Sequence, residues 1–240
     1  MSEPTDHAAQ TIVSTTTDHG DITLRERATP GGVVHELVVN GVFAMDTVDT
    51  TTEVALAERA LALVESPRRV LVGGLGLGFT AWNVLKDRRV ERVDVVEREE
   101  ALVEWSRLAL APTLGLVGRH PRAHLHVADR RDVLTGDASA ATPGDMGGPW
   151  DVILLDVDNG PSFLVHDDNG GLYGADALRA TLAKVVPGGV LAIWAAQPEP
   201  DLAARLAELA PTQEILVEVH RGGRDLTYAL YVARAATAAS

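Results

Sequence analysis

The 240-residue chain contains no cysteine. That removes disulfides, thiol nucleophiles and thiolate metal ligands together. It also has no apolar run near the roughly 20 residues that span a bilayer, and its first residues, MSEPTDHAAQ, do not form a charged-then-apolar leader. A cytoplasmic protein with no membrane association is the expectation. Positive charge is scarce: 21 Lys and Arg stand against 34 Asp and Glu, a formal net charge of −13. Nucleic-acid partners are disfavoured by that balance, because phosphates need neutralising cations. The local basic clusters at Arg68-Arg69, Lys86–Arg89 and Arg130-Arg131 read as solvated loop and helix-end charges. Apolar residues, in contrast, make up 46% of the chain, enough for one α/β domain with a small appendage.

Residues 1–20 are polar and threonine-rich and read as a disordered tail. Residues 21–48 read as a β-hairpin extension: strands Ile22–Arg27 and Val33–Val39, then Asn40-Gly41 as a two-residue turn into Val42–Met45. From 49 to 236 the pattern is that of a single α/β domain. Thr50 and Glu53 have capping-box spacing ahead of a helical set running from Val54 to Val64. Strands at 70–73, 92–97, 123–127, 152–156 and 190–195 then alternate with helices at 79–87, 99–110, 175–186 and 200–209. Two last strands, Glu214–His220 and Leu226–Ala233, flank Arg221-Gly-Gly-Arg224 as a hairpin that makes the final strand antiparallel at an edge. The expected fold is a doubly wound, mostly parallel, seven-stranded sheet.

Within that frame, Val70–Thr80 (VLVGGLGLGFT) joins an apolar strand to a helix through Gly74, Gly76 and Gly78. A turn without β-carbons lets a ligand lie against the backbone. Glu97 ends the next strand, about 20 positions on, where a carboxylate can accept both hydroxyls of a ribose. Asp129 follows the third strand and Asp156 ends the fourth, in DVILLD. All four signals sit at carboxyl ends of strands, the ligand-binding rim of open α/β sheets. A purine nucleoside is the implied ligand. A Rossmann dehydrogenase ranks behind the other readings, since its spacing G-x-G-x-x-G needs glycine at position 79, where Phe79 stands.

These segments resemble the class I S-adenosylmethionine-dependent methyltransferases and, more closely, the spermidine synthase (aminopropyltransferase) family. The likeness runs over roughly residues 33 to 195. It includes Leu37–Val42, Val70–Thr80, Val93–Glu97, Asp129, Asp151–Pro161, Leu172-Tyr173 and the run from Val186 through Gly188 and Gly189 to Ala192. The resemblance implies a class I methyltransferase-like Rossmann fold. It also implies an adenosyl sulfonium donor, S-adenosylmethionine or its decarboxylated form, with ribose on Glu97 and purine near Asp129. Asp156 then accepts the proton of an attacking amine, and Asp158 holds the cationic amine. A homodimer follows by the same analogy, and the hairpin edges suit a second subunit.

The departures from the family shape the expectation. Leu77 stands where the family carries an Asp that binds the aminopropyl ammonium; leucine does not repel the carboxylate of the intact donor. Ala44 replaces a Gln, and Glu53-Val54-Ala55 replaces Tyr-His-Glu in an ungapped alignment. Methyl transfer and transfer of a propyl group both stay open, as does a non-catalytic nucleoside-binding protein. His166 and Tyr173, in or after the polar loop beyond Asp156, are candidates to contact a small-molecule acceptor. No metal is expected: Asp156, Asp158 and Asn159 could imitate a magnesium set, but Trp194-Ala-Ala-Gln197 replaces the Asp-Asn such enzymes carry after the fifth strand.

Overall fold

A computed structural model describes residues 9–136, 146, 148–156, 171–221 and 223–237. The chain opens with an antiparallel sheet in the order β1-β2-β3-β4, made of β1 (Gln10–Thr17), β2 (Gly20–Thr29), β3 (Gly32–Val39) and β4 (Val42–Asp46). Asn40 and Gly41 adopt φ of 52° and 75°, the positive values that a tight two-residue hairpin needs. Ile22, Leu24 and Leu37 turn inward, while Arg25 and Arg27 hold Glu36 from the other face at 2.7 and 2.6 Å.

Strand β1 corrects the expectation of a disordered tail through residue 20. Its Thr, Ile and Val residues favour extended backbone whatever their polarity, and β1 pairs along β2 from Gln10 to Thr17. The capping box is also corrected. Helix α1 (Thr51–Ala62) starts after Thr50, but the Thr50 side chain makes no cap bond; the Thr51 amide donates to Asp49 Oδ1 at 3.0 Å. Glu53 is thereby released from a capping role.

The main sheet is built from β5 (Arg69–Gly73), β6 (Arg92–Glu97), β7 (Ala123–Val127), β8 (Trp150–Leu155), β9 (Val185–Ala195), β10 (Thr212–Arg221) and β11 (Arg224–Arg234). Its order is β10-β11-β9-β8-β5-β6-β7, with β5 through β9 parallel and β11 antiparallel to both neighbours. The antiparallel strand thus lies inside the sheet and β10 takes the edge, unlike the expectation from the terminal hairpin. Pro187-Gly-Gly189 lies within β9. The pairing with β8 jumps from Trp150↔Val185 to Val152↔Val190, so a bulge absorbs the proline and the positive φ of Gly188.

Successive residues of the parallel strands bury opposite faces. Val70, Val72, Val93, Val95, Val152 and Leu154 join one core, with side chains of α1, α2 (Phe79–Lys86), α3 (Glu100–Leu108) and α4 (Pro112–Gly118). Leu71, Val96, Ile153, Leu155, Leu191 and Ile193 join the other, under α5 (Arg130–Thr135), α6 (Ala175–Ala183) and α7 (Pro200–Leu209). Each such side chain contributes about 1.5–3 kcal/mol by leaving water. The short helices α4 and α5 were not expected from periodicity, being too brief to show one. The strand order reverses between β5 and β8, which opens a crevice at their carboxyl ends. Among the described residues no helix is long and apolar enough to cross a membrane.

One buried ion cluster ties three strands together below that crevice. Asp94, fully buried, accepts from Arg92 Nε at 2.8 Å and Trp150 Nε1 at 3.0 Å, and pairs with His126 Nε2 at 3.1 Å. Burial alone would raise its pKa; the His126, Trp150 and Arg92 contacts outweigh it and hold the group at about 2. A depressed carboxyl contributes stability at pH values above its unfolded value, lost as pH falls toward its folded value. Asp94→Asn is expected to destabilise the fold by about 3 kcal/mol and to flatten the acid limb of stability between pH 4 and 2, read by denaturant titration. An unchanged acid limb would remove Asp94 as its source.

Candidate active site

The glycine turn after β5 is bent by positive φ values at Gly74, Gly76 and Gly78, of 102°, 49° and 89°. Glu97, at the end of β6 and 5% exposed, points into that turn. Its Oε2 accepts the Leu75 amide at 2.9 Å and its Oε1 accepts the Glu99 amide at 3.0 Å. Two backbone bonds fix the carboxylate, and each oxygen keeps a lone-pair position for a further donor such as a ribose hydroxyl.

Gly74, Leu75, Gly76 and Glu97 line a cavity of about 860 Å³ that also takes in Met45, Glu53, Arg130, Asp156, Trp194 and Tyr228. Met45 of β4 lies over the turn. A β-carbon on Gly76 would come within 2.7 Å of the Met45 sulfur, which itself accepts the Leu77 amide at 3.2 Å. The amino-terminal sheet is therefore one wall of the site.

Asp156 follows β8, tied through its amide to the Gly73 carbonyl at 3.0 Å. Its Oδ2 accepts the Thr80 hydroxyl at 2.5 Å. Burial raises its pKa, against the pull of that hydroxyl and of the Arg130 charge. Glu53 of α1 lines the same cavity and accepts the Thr52 hydroxyl at 2.7 Å. Burial and then the Asp156 charge push Glu53 up to about 7. Two carboxyls that repel each other in a sheltered place each favour the protonated form more than an isolated one does. Asp46, Asp49, Glu99 and Asp225 add further acids to the lining, against Arg98 and Arg130 as the cations among the described residues. The field inside favours a cation. Trp194 and Tyr228 stack at 5.6 Å and form an aromatic wall beside it.

Other expected residues fall elsewhere. Leu77 is 1% exposed and packs into the first core, so only its amide belongs to the site. Gly78 backs onto α4, where a β-carbon would meet Val117 at 3.2 Å. Asp129 caps α5: its Oδ1 accepts the Arg131 amide at 2.8 Å and its Oδ2 pairs with the Arg131 guanidinium at 2.9 Å, outside the cavity lining. Tyr173, expected at the acceptor, is instead packed in the second core at 1% exposure. Asp158 and His166 lie outside the described residues. Among those residues no cluster of three or more His, Asp or Glu is placed to hold a metal.

Several cavity residues carry no functional signal in the sequence: Glu53 reads as a helix cap, Arg130 as a solvated charge, and Trp194 as a departure from a metal motif. The signal for Glu53 is its place as the first residue of Glu53-Val54-Ala55, where the family carries Tyr-His-Glu.

No family model matches the chain. Among curated proteins it is similar to the polyamine aminopropyltransferase of Nitrosomonas europaea, 32% identical over 148 residues, or 60% of this chain and 41% of that protein. It is also similar to putrescine N-methyltransferase 4 of Nicotiana tabacum, 28% identical over 181 residues, or 72% of this chain and 41% of that one. The chain thus spans about two-fifths of the length of these relatives. A solved spermidine synthase in complex with the transition state analogue AdoDATO superposes with a TM-score of 0.74 at 21% identity, covering 94% of this chain and 73% of that chain. The spermidine synthase from Thermotoga maritima gives 0.70 at 20% identity, covering 94% and 72%. The chain thus has the fold of the spermidine synthases and is similar in sequence to an aminopropyltransferase and to putrescine N-methyltransferases.

Proposed function

We propose that the chain is a transferase that alkylates a small, amine-bearing acceptor from an adenosyl sulfonium donor, S-adenosylmethionine or its decarboxylated form. The observation that carries this reading is the single cavity holding Glu97, fixed against the glycine turn, and Asp156 across from it. In this reading residues 49–236 bind the donor and residues 21–48 wall it in. Glu97 takes the ribose diol, and the Leu75–Gly76 backbone supports the sulfonium end. The acidic lining collects an acceptor that is protonated in water.

The donor supplies an electrophilic carbon on a positively charged sulfur. The acceptor nitrogen attacks that carbon with its lone pair, the carbon–sulfur bond breaks, and its electron pair stays on sulfur as a neutral thioether. The amine must first give up a proton, and Asp156 is the group placed to take it, with Glu53 sharing it. A carboxyl whose pKa is raised is a stronger base than an ordinary one. Asp158 is assigned to the cationic amine beside Asp156. Relatives named putrescine N-methyltransferases favour a methyl group among those moved. The proposal includes a cytoplasmic homodimer; β4 is an edge strand with Val42 and Phe43 exposed, a surface suited to a second copy.

Asp156→Asn is expected to lower turnover by about 10²- to 10⁴-fold while leaving calorimetric affinity for methylthioadenosine within about twofold. Turnover equal to the parent would remove Asp156 from the mechanism, and binding without turnover in the parent would leave a nucleoside-binding protein. With the acid pair raised, kcat/KM should climb as pH passes about 7, because the base gains competence only once its proton is lost. Glu53→Gln removes one of the two repelling charges, so the climb should move to lower pH. A limb that stays in place would separate Glu53 from the titration.

A further inference from the structure

Arg130 is a buried guanidinium in the wall of an acidic cavity. Its side chain passes the base of the glycine turn: a β-carbon added to Gly73 would lie 3.5 Å from Arg130 Cδ. The residue is 5% exposed and lines the cavity. Its Nε is buried without a partner among the described residues. Asp129, its neighbour in sequence, turns to Arg131 at 2.9 Å instead. Asp156 feels the charge of Arg130, yet its Oδ2 is engaged by the Thr80 hydroxyl at 2.5 Å. A buried cation left in this state is costly unless an anion reaches it.

We infer that Arg130 is the carboxylate-recognising group of the donor site, so that the donor is intact S-adenosylmethionine and not its decarboxylated form. The inference rests on the adenosyl site proposed above. With the ribose at Glu97 and the reacting carbon near Asp156, the sulfur lies between them. Its amino-acid substituent then runs along the glycine turn toward Gly73, where Arg130 stands. The α-carboxylate is the sole anionic group that this donor class carries, and decarboxylation deletes it. A guanidinium fork matches a carboxylate with two parallel N–H···O bonds. The core-packed Leu77 leaves no acid on that turn to oppose the carboxylate.

The test is calorimetry on the full chain with S-adenosylmethionine, decarboxylated S-adenosylmethionine and methylthioadenosine. The parent should bind the intact donor about 10- to 100-fold more tightly than the decarboxylated one, the worth of a charge-assisted pair. Arg130→Met should erase that ratio while changing methylthioadenosine affinity by no more than about twofold, and Arg130→Lys should keep part of it. Equal or weaker binding of the intact donor by the parent overturns the inference, as does an Arg130→Met loss of the same size for all three probes. Failure of methylthioadenosine to bind the parent overturns the adenosyl site itself, a result separate from either of these. Should Arg130→Met fail to fold, as judged by its thermal melt, the parent's own ratio and Arg130→Lys decide the matter.

Discussion

Glu97 bridges two backbone amides, one from the turn after β5 and one from the start of the segment leading to α3. Those two bonds do more than hold a side chain. They lock the glycine turn to the end of β6, so the carboxylate and the bare backbone it faces cannot drift apart. The rest of the site is referenced to that pair. Gly73 hydrogen-bonds the Asp156 amide, which places the fourth-strand acid at a set height above the turn. Thr80, in the first turn of α2, then orients the acid from the helix that the turn itself launches.

The electrostatics of the cavity follow from what each element can bring to the rim. Carboxylates arrive from β4, α1, β6, β8 and the last hairpin, and α5 contributes one arginine from below. Crowding of like charge is unfavourable, and burial together with the Asp156 charge raises the Glu53 carboxyl to about 7 while burial raises Asp156. A cationic guest relieves the same repulsion. Affinity for an amine and readiness to accept its proton therefore arise from one arrangement of charge.

The sequence was legible where local chemistry and global fold agree. Val70–Glu97 could be read because apolar strands, left-handed glycines and a strand-end acid are each dictated within a few residues. Asp156 could be read because an acid at the end of four buried aliphatics has few other uses. Side-chain direction was not legible. Leu77, Gly78 and Tyr173 sit in or beside readable motifs, but packing against α4 and the second core, set by distant segments, takes them away from the cavity. Arg130 looked like any surface cation, because nothing nearby in sequence reveals that Gly73 makes room for its stem. Strand β1 was hidden by its threonines, whose polarity suggests solvent while their branching favours a strand. The interior position of β11 depends on how the whole sheet is ordered, which no window of residues encodes.

In the proposed assignment, the residues given to the sulfonium and the ribose come from the middle of the chain, whereas Asp46, Asp49 and Glu53 come from its opening third and Asp225 through Tyr228 from its final hairpin. The half of the chamber assigned to the second substrate is thus drawn from two stretches at opposite ends of the sequence. Met45 is tied to the glycine turn through Gly76 and the Leu77 amide, so divergence is open to the acids beside it rather than to Met45 itself. A lineage built on this plan can exchange one recipient molecule for another while its alkyl source stays the same.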